Sequence, residues 1–301
     1  MKKKISLTLV LLIVSLLPIH ESTVSAGEGN GVPKDATLEE LINAGDRAAK
    51  LARKDNRTRE QLEESIRIYR RITELDPDNS HGLNMLSLGN FTLAEAYLED
   101  WDERKAAYSR GYELGLRSLR TNDDFEDLYG EVDRVALKKL PESVDDVEGL
   151  FWTGANLGRL AERKGVMKSL ADNDLPVLVS LNRRVLELDE TYLGGGAHRN
   201  LGSIGAEVMS KMPLTLWQVR SHGFSWKKSR QHFERAIEIA PGCLENYLTY
   251  ARYYALKKGK EELALDLLEK VIEKPLGDRY PLINEIAKEK ARRLKTDILN
   301  G

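Results

Sequence analysis

Two stretches of the chain, Ser65–Pro77 (SIRIYRRITELDP) and Ser229–Pro241 (SRQHFERAIEIAP), decide the reading of the fold. In the first, Ser65, Tyr69, Ile72 and Pro77 stand at intervals of four, three and five; in the second, Ser229, Phe233, Ala236 and Pro241 repeat those intervals. Residues spaced three and four apart share one face of a helix. The small residue lets a partner helix approach closely, and the aromatic fills the gap between neighbouring pairs. Proline ends the element because it has no amide proton to continue the ladder. This is the form of the second helix of a tetratricopeptide repeat, a unit that buries its apolar face only by stacking on its neighbours.

Weaker copies lie between and after these two. Leu178, Asn182, Val185 and Glu190 keep the spacing within LVSLNRRVLELDE but lack the aromatic and the proline, while Ala264, Leu267, Leu268 and Val271 share one face before Pro275 closes the element. Helical periodicity also runs through Leu83–Leu98, Arg104–Leu119, Leu150–Lys164, Leu201–Met209 and Cys243–Lys257, and no run of alternating β-branched residues occurs. The pattern predicts an all-α, tetratricopeptide-like helical-repeat solenoid. It comprises a pair of helices at 37–54 and 60–75, four further pairs, and a last helix from Pro281 to Leu299. Longer loops near 121–148, 165–176 and 210–226 interrupt the period and are candidate binding elements.

Composition bounds the function. The chain has 301 residues, 41% hydrophobic and 31% charged, which is the make-up of a folded globular protein. A net charge of −2 argues against a nucleic-acid partner, which would need a basic field to neutralise phosphates. A single cysteine, Cys243, excludes a disulfide scaffold.

The N-terminus carries Lys2, Lys3 and Lys4, an apolar run from Ile5 to Ile19, and then Val24-Ser25-Ala26. That order is the order of a secretory signal. The apolar run holds 15 residues and includes Pro18, whereas a spanning helix needs about 20. Cleavage after Ala26 is therefore expected, dividing the chain into a signal peptide, 1–26, and a helical-repeat domain, 27–301. With no cysteine near the cleavage point, lipid attachment is not encoded, and a periplasmic or secreted protein is expected.

Several groups of residues invite a chemical reading. Gly194-Gly195-Gly196-Ala197-His198 would serve either as a backbone nest for an anion or as a turn that allows close helix approach. Neither a phosphate loop nor a dinucleotide fingerprint is present. His81, His198, His222 and His232 show no metal-binding spacing, there are no paired cysteines, and no metal or cofactor is expected. Tyr108 and Arg110 lie two apart and so point to different faces. Phe151, Trp152, Tyr247, Tyr250, Tyr253 and Tyr254 would line an apolar channel or fill the core. The carboxylate pairs Asp123-Asp124, Asp145-Asp146 and Glu261-Glu262 read as solvated helix starts and loops. Leu201-Gly202-Ser203-Ile204-Gly205 lacks the nucleophile elbow, so an enzyme is not expected.

Six strings in sequence order go beyond generic repeat content. They are Tyr108-Ser109-Arg110-Gly111 with Leu114, Leu116 and Leu119; Phe151-Trp152 through Asn156 and Gly158; LELDETYLGGGAHRNLG from Leu186 to Gly202; Phe233-Glu234-Arg235-Ala236; Ala251-Arg252-Tyr253-Tyr254-Ala255; and Asn284-Glu285-Ile286-Ala287 with Arg292-Arg293-Leu294. In that order the series resembles the T-component family of tetratricopeptide-repeat proteins associated with TRAP transporters. The resemblance implies an extracytoplasmic protein that works with the periplasmic solute-binding protein of an ATP-independent transporter, self-associates as a trimer, and offers an apolar cleft to a small apolar or amphipathic ligand. On that footing the candidate ligand-binding residues are Tyr108, Arg110, Phe151, Trp152, Asn156, Gly194, Gly195, Gly196, His198, Arg199, Tyr247, Arg252 and Tyr254. The alternative is a generic exported scaffold that organises envelope-protein assembly through peptides laid along its concave face.

Overall fold

Thr37 starts helix α1 (Leu38–Leu51): its hydroxyl accepts from the Glu40 amide while the Glu40 carboxylate accepts from the Thr37 amide at 2.8 Å. Thr58 and Gln61 form the same reciprocal cap on α2 (Arg59–Leu75), so the first pair is marked out by local chemistry at both starts. The computed structural model describes residues 32–33, 35–53, 58–131, 140, 142–215 and 223–300. The predicted signal segment, 1–26, and His222 lie outside the described residues.

The remaining helices follow as α3 (Ser80–Ala96), α4 (Trp101–Leu119), α5 (Asp123–Glu131), α6 (Val147–Lys164), α7 (Val166–Ala171), α8 (Asp174–Asp189), α9 (Tyr192–Ser210), α10 (Trp226–Ile239), α11 (Leu244–Thr249), α12 (Glu261–Glu273) and α13 (Pro281–Asn300). Helix α11 runs on into a π-helical segment over Tyr250–Ala255. No strand occurs among the described residues. The all-α helical-repeat reading holds, with pairs α1/α2, α3/α4, α6/α8, α9/α10 and α11/α12 followed by α13. Packing runs from each element to its neighbour, α2 on α3, α4 on α6 and α8 on α9. No helix among the described residues is long and apolar enough to cross a membrane.

The two deciding stretches do the same work in the structure. Ser65, Tyr69 and Ile72 are buried, and so are Ser229, Phe233 and Ala236. In each case the aromatic ring lies against a glycine of the preceding helix: a Cβ on Gly45 would sit 3.0 Å from the Tyr69 ring, and one on Gly202 would sit 3.1 Å from the Phe233 ring. A side chain at either glycine would push the pair apart. In the weak copy on α8, Asn182 replaces the aromatic, donates to the Leu178 carbonyl at 2.8 Å, and accepts from Asn200 of α9 at 2.9 Å. A hydrogen bond thus takes the place of ring packing between those helices.

Two of the predicted loops contain helices. Within 121–148, Asn122 caps the Phe125 amide at 3.1 Å and α5 buries Phe125 completely; residues 132–139 lie outside the described ones. Within 165–176, α7 fits a single turn and a half before α8 begins, with Pro176 in the first turn of α8 where its missing amide costs no helical bond. Helix α7 is too short to repeat an apolar face, and α5 shows one only as the single set Phe125, Leu128 and Tyr129, which joins the core.

Candidate functional site

The first helices of successive pairs, together with α8 and α13, surround a cavity of about 750 Å³. That volume lies within the usual range for small-molecule sites. Its apolar wall comes from Leu88 and Phe91 of α3, Phe151 and Trp152 of α6, Leu175 and Leu178 of α8, Leu193 and Ile204 of α9, and Leu282, Ile283 and Ile286 of α13.

One side of the wall is charged. Glu95 of α3, with a side chain only 6% exposed, pairs with Arg159 Nε at 2.8 Å and Lys290 Nζ at 2.5 Å, and lies 3.6 Å from Arg104. The Tyr108 hydroxyl donates to it at 2.5 Å. Burial alone would raise the Glu95 pKa, but the charges of Arg159 and Lys290 and the hydrogen bonds from Lys290 and Tyr108 hold it well below the usual carboxylate range. Arg159 bridges to a second carboxylate, Glu162, at 3.2 Å; Glu162 also pairs with Arg252 at 2.7 Å and accepts from the Tyr253 hydroxyl at 2.8 Å. Here too burial acts to raise the pKa and is outweighed, chiefly by Arg159 and Arg252. The chain of pairs ties α3, α4, α6, α11 and α13 around the cavity. Lys290 contributes from the far end of the sequence.

The π-helical segment explains how neighbouring tyrosines serve different roles. The wider turn, in which the Leu256 amide donates to the Ala251 carbonyl at 3.0 Å, shifts the faces of the helix. Tyr253 lines the cavity, whereas Tyr250 stacks on Phe233 at 5.2 Å and Tyr254 meets Trp226 edge-on at 5.7 Å.

Of the residues named from sequence, Phe151, Trp152, Gly194 and Arg199 line the cavity together. Arg252 sits in an adjoining recess of about 530 Å³ that shares Glu162, Gly165, Val166, Glu207 and Tyr253 with it. Tyr108 lies behind the wall, holding Glu95. Arg110 reaches Asn90 at 3.3 Å, and Asn156 is fully buried and donates to Trp152 and Ser87 carbonyls. Tyr247 is buried with Lys274 4.5 Å above its ring, and Tyr254 belongs to the α10–α11 core.

The glycine run is a left-handed turn inside α9: Leu193, Gly194 and Gly195 have φ of 47°, 66° and 77°. The amides of Gly194 and Gly195 both donate to the Thr191 carbonyl, which leaves neither for an anion. A Cβ on Gly195 would meet the Ala236 backbone at 3.0 Å, and one on Gly196 would meet the Phe151 ring at 2.6 Å. The run therefore brings α9 against α10 and against the cavity wall. Of the three predicted loop elements, 165–176 supplies Gly165, Val166, Ser169 and Leu175 to the cavity.

His198 lies outside the cavity. Its Nδ1 stands 2.8 Å from Nδ1 of His232, and Glu190, itself held by Arg235, is 3.3 Å from its Nε2. Among the described residues no group of three metal-ligating side chains occurs. Burial, then the charge of His198, with Arg183 and Lys228 adding, pushes the His232 pKa down from 6.5 to about 4. The sign follows from linkage: between these values the unfolded chain binds the proton and the folded chain does not. The contribution of His232 is complete above pH 6.5, falls as the pH drops toward 4, and then levels off. Urea unfolding across this range should show a loss of about 2–3 kcal/mol, and a His232→Gln variant should flatten the profile.

The residues that sequence reading passed over are Glu95, Arg159, Glu162 and Lys290. Each continues an apolar helical face, as Glu95 does after Leu88 and Phe91, and that is the signal that would have found them.

The fold and the cavity define a class: an all-helical repeat protein with a cavity of about 750 Å³ between its helices. The family model of the TRAP transporter T-component matches residues 94–299, and the chain belongs to that family. The match takes in all six strings quoted above and begins within α3, so α1 and α2 precede it. The family is one of transporter-associated components and not of enzymes. No curated protein matches the chain.

Proposed function

We propose that this protein docks the periplasmic solute-binding protein of a TRAP transporter and shelters a small apolar or amphipathic organic solute during its passage to the membrane component. In this reading the chain is exported, its signal segment is removed, and it works as a trimer. The observation that carries the proposal is the apolar cavity of about 750 Å³ in a chain of the T-component family. Support comes also from the adjoining recess, where Arg252, Lys257 and Lys211 stand beside the cavity and would offer polar contacts to a docked partner or an entering solute. The family membership and the cavity make no demand on an acid, base or nucleophile.

Affinity capture from periplasmic extract, with mild crosslinking to retain weak complexes, tests the partner. Recovery of a solute-binding protein is expected. Recovery of envelope-assembly proteins in its place would favour the generic scaffold.

A further inference from the structure

Arg199 is 92% buried, lines the cavity, and has no acidic partner within ion-pair distance among the described residues. Its Nη1 donates to Asn246 Oδ1 at 2.7 Å and lies 3.9 Å from the Cys243 sulfur. Both partners are neutral or weak. Asn246 is fixed in turn, since its amide nitrogen donates to the carbonyls of Ala236 at 2.8 Å and Gly194 at 3.0 Å, so its oxygen stays aimed at Arg199. The guanidinium is held in place, and Gly196, whose absent side chain would approach Nη2 to 3.4 Å, keeps the space beside it clear.

A guanidinium does not lose its proton in a protein, so burial without an anion carries an uncompensated cost. Of the other cations that line the cavity, Arg159 and Lys290 pair with Glu95 and Glu162, and Lys50, Arg53 and Arg279 are exposed to solvent, which leaves Arg199 as the buried cation without an acid beside it. Glu245 and Asp278 also line the cavity, and neither forms an ion pair with Arg199. Six basic and five acidic side chains line the cavity in all, an excess of one positive charge. The missing partner is one negative charge.

We infer that Arg199 is the head-group site of the cavity, and that the solute is an amphipathic monocarboxylate whose carboxylate pairs with Arg199 while its apolar body lies against Phe151, Trp152 and Leu193. A carboxylate matches the planar donor fork that Asn246 leaves partly free. This inference rests on the reading of the cavity as a solute site and adds the charge of the solute to it.

Three ligands of one chain length, decanoate, decanol and decylammonium, distinguish the possibilities by calorimetry on the full mature chain near neutral pH. Decanoate should bind about ten- to a hundredfold more tightly than decanol, the worth of a hydrogen bond to a charged group, and decylammonium most weakly. Arg199→Met should abolish the preference for decanoate while retaining decanol, and Arg199→Lys should restore part of it. Circular dichroism confirms that each variant is folded. Equal binding of acid and alcohol by the wild-type chain, or an undiminished preference in Arg199→Met, would overturn the head-group site and leave the cavity reading standing. Binding of none of the three would overturn both.

Discussion

Glu95→Gln is expected to destabilise the protein by about 3 kcal/mol, because it removes the carboxylate on which three cations converge and leaves them to repel one another in a largely buried place. The side chains of Arg104, Arg159 and Lys290 are 29%, 24% and 29% exposed, so solvent screens part of the effect; the low end of the range for breaking a buried pair applies. The Tyr108 hydroxyl retains an acceptor in glutamine, which separates the loss of charge from the loss of shape. For a chain of this size the melting temperature should fall by about 6–12 °C. The difference depends on pH. Because the folded-state pKa of Glu95 lies below its unfolded value of 4.5, its contribution is complete above that pH and declines as acidification proceeds toward the folded pKa. Wild type and variant should therefore converge in acid. A constant gap from neutral pH to pH 3 would show that the charge is not what stabilises this junction.

Phe233→Ala should be costlier still, about 3–5 kcal/mol, the usual range for deleting a fully buried aromatic. Phe233 has no exposed surface, its ring stacks on Tyr250 with an interplanar angle of 9°, and Gly202 rests against its face. Since α9 has no side chain at Gly202 to refill the space, the void would persist between α9, α10 and α11. The consequence reaches the cavity, because α9 also carries Leu193, Arg199 and Ile204. Thermal unfolding should show the loss, and Phe233→Leu should recover part of it by filling some of the space. A shift of less than about 1 kcal/mol would mean that the pair is not held by this ring.

These two residues mark what the sequence made legible. Phe233 belongs to a spacing that appears twice in full, and a repeat whose aromatic, small residue and proline occupy fixed places can be read without the structure. The weak copy on α8 could be read too, although the role of Asn182 as a hydrogen-bonding substitute for the ring could not. Glu95 was silent for a different reason: two of its cation partners, Arg159 and Lys290, lie 64 and 195 positions away, and nothing in a helical period says which distant cation meets a given acid. The split of Tyr253 from Tyr254 was likewise hidden, since the π-helical turn changes the face each presents. Phe151, Trp152, Gly194 and Arg199 were within reach because they sit in strings that resemble the family, yet their convergence on one cavity depends on the left-handed turn at Leu193–Gly195 and on α13 folding back. Tyr108 illustrates the limit from the other side, a residue singled out by pattern as ligand-binding that bonds to Glu95 and does not line the cavity.

The central claim is that the cavity holds a small molecule. Gly158 lies on its wall, and a Cβ there would meet only Leu178 at 3.8 Å, so Gly158→Phe places a ring in the cavity without straining the α6 backbone. The change also removes a helix-interior glycine, worth several tenths of a kcal/mol toward stability. Mass spectrometry of the organic extract from protein captured from its native cells should therefore find a small molecule in stoichiometric amount with the wild-type chain, and none with an equally stable Gly158→Phe variant. The same molecule at the same occupancy in both, or none in either, would contradict the claim.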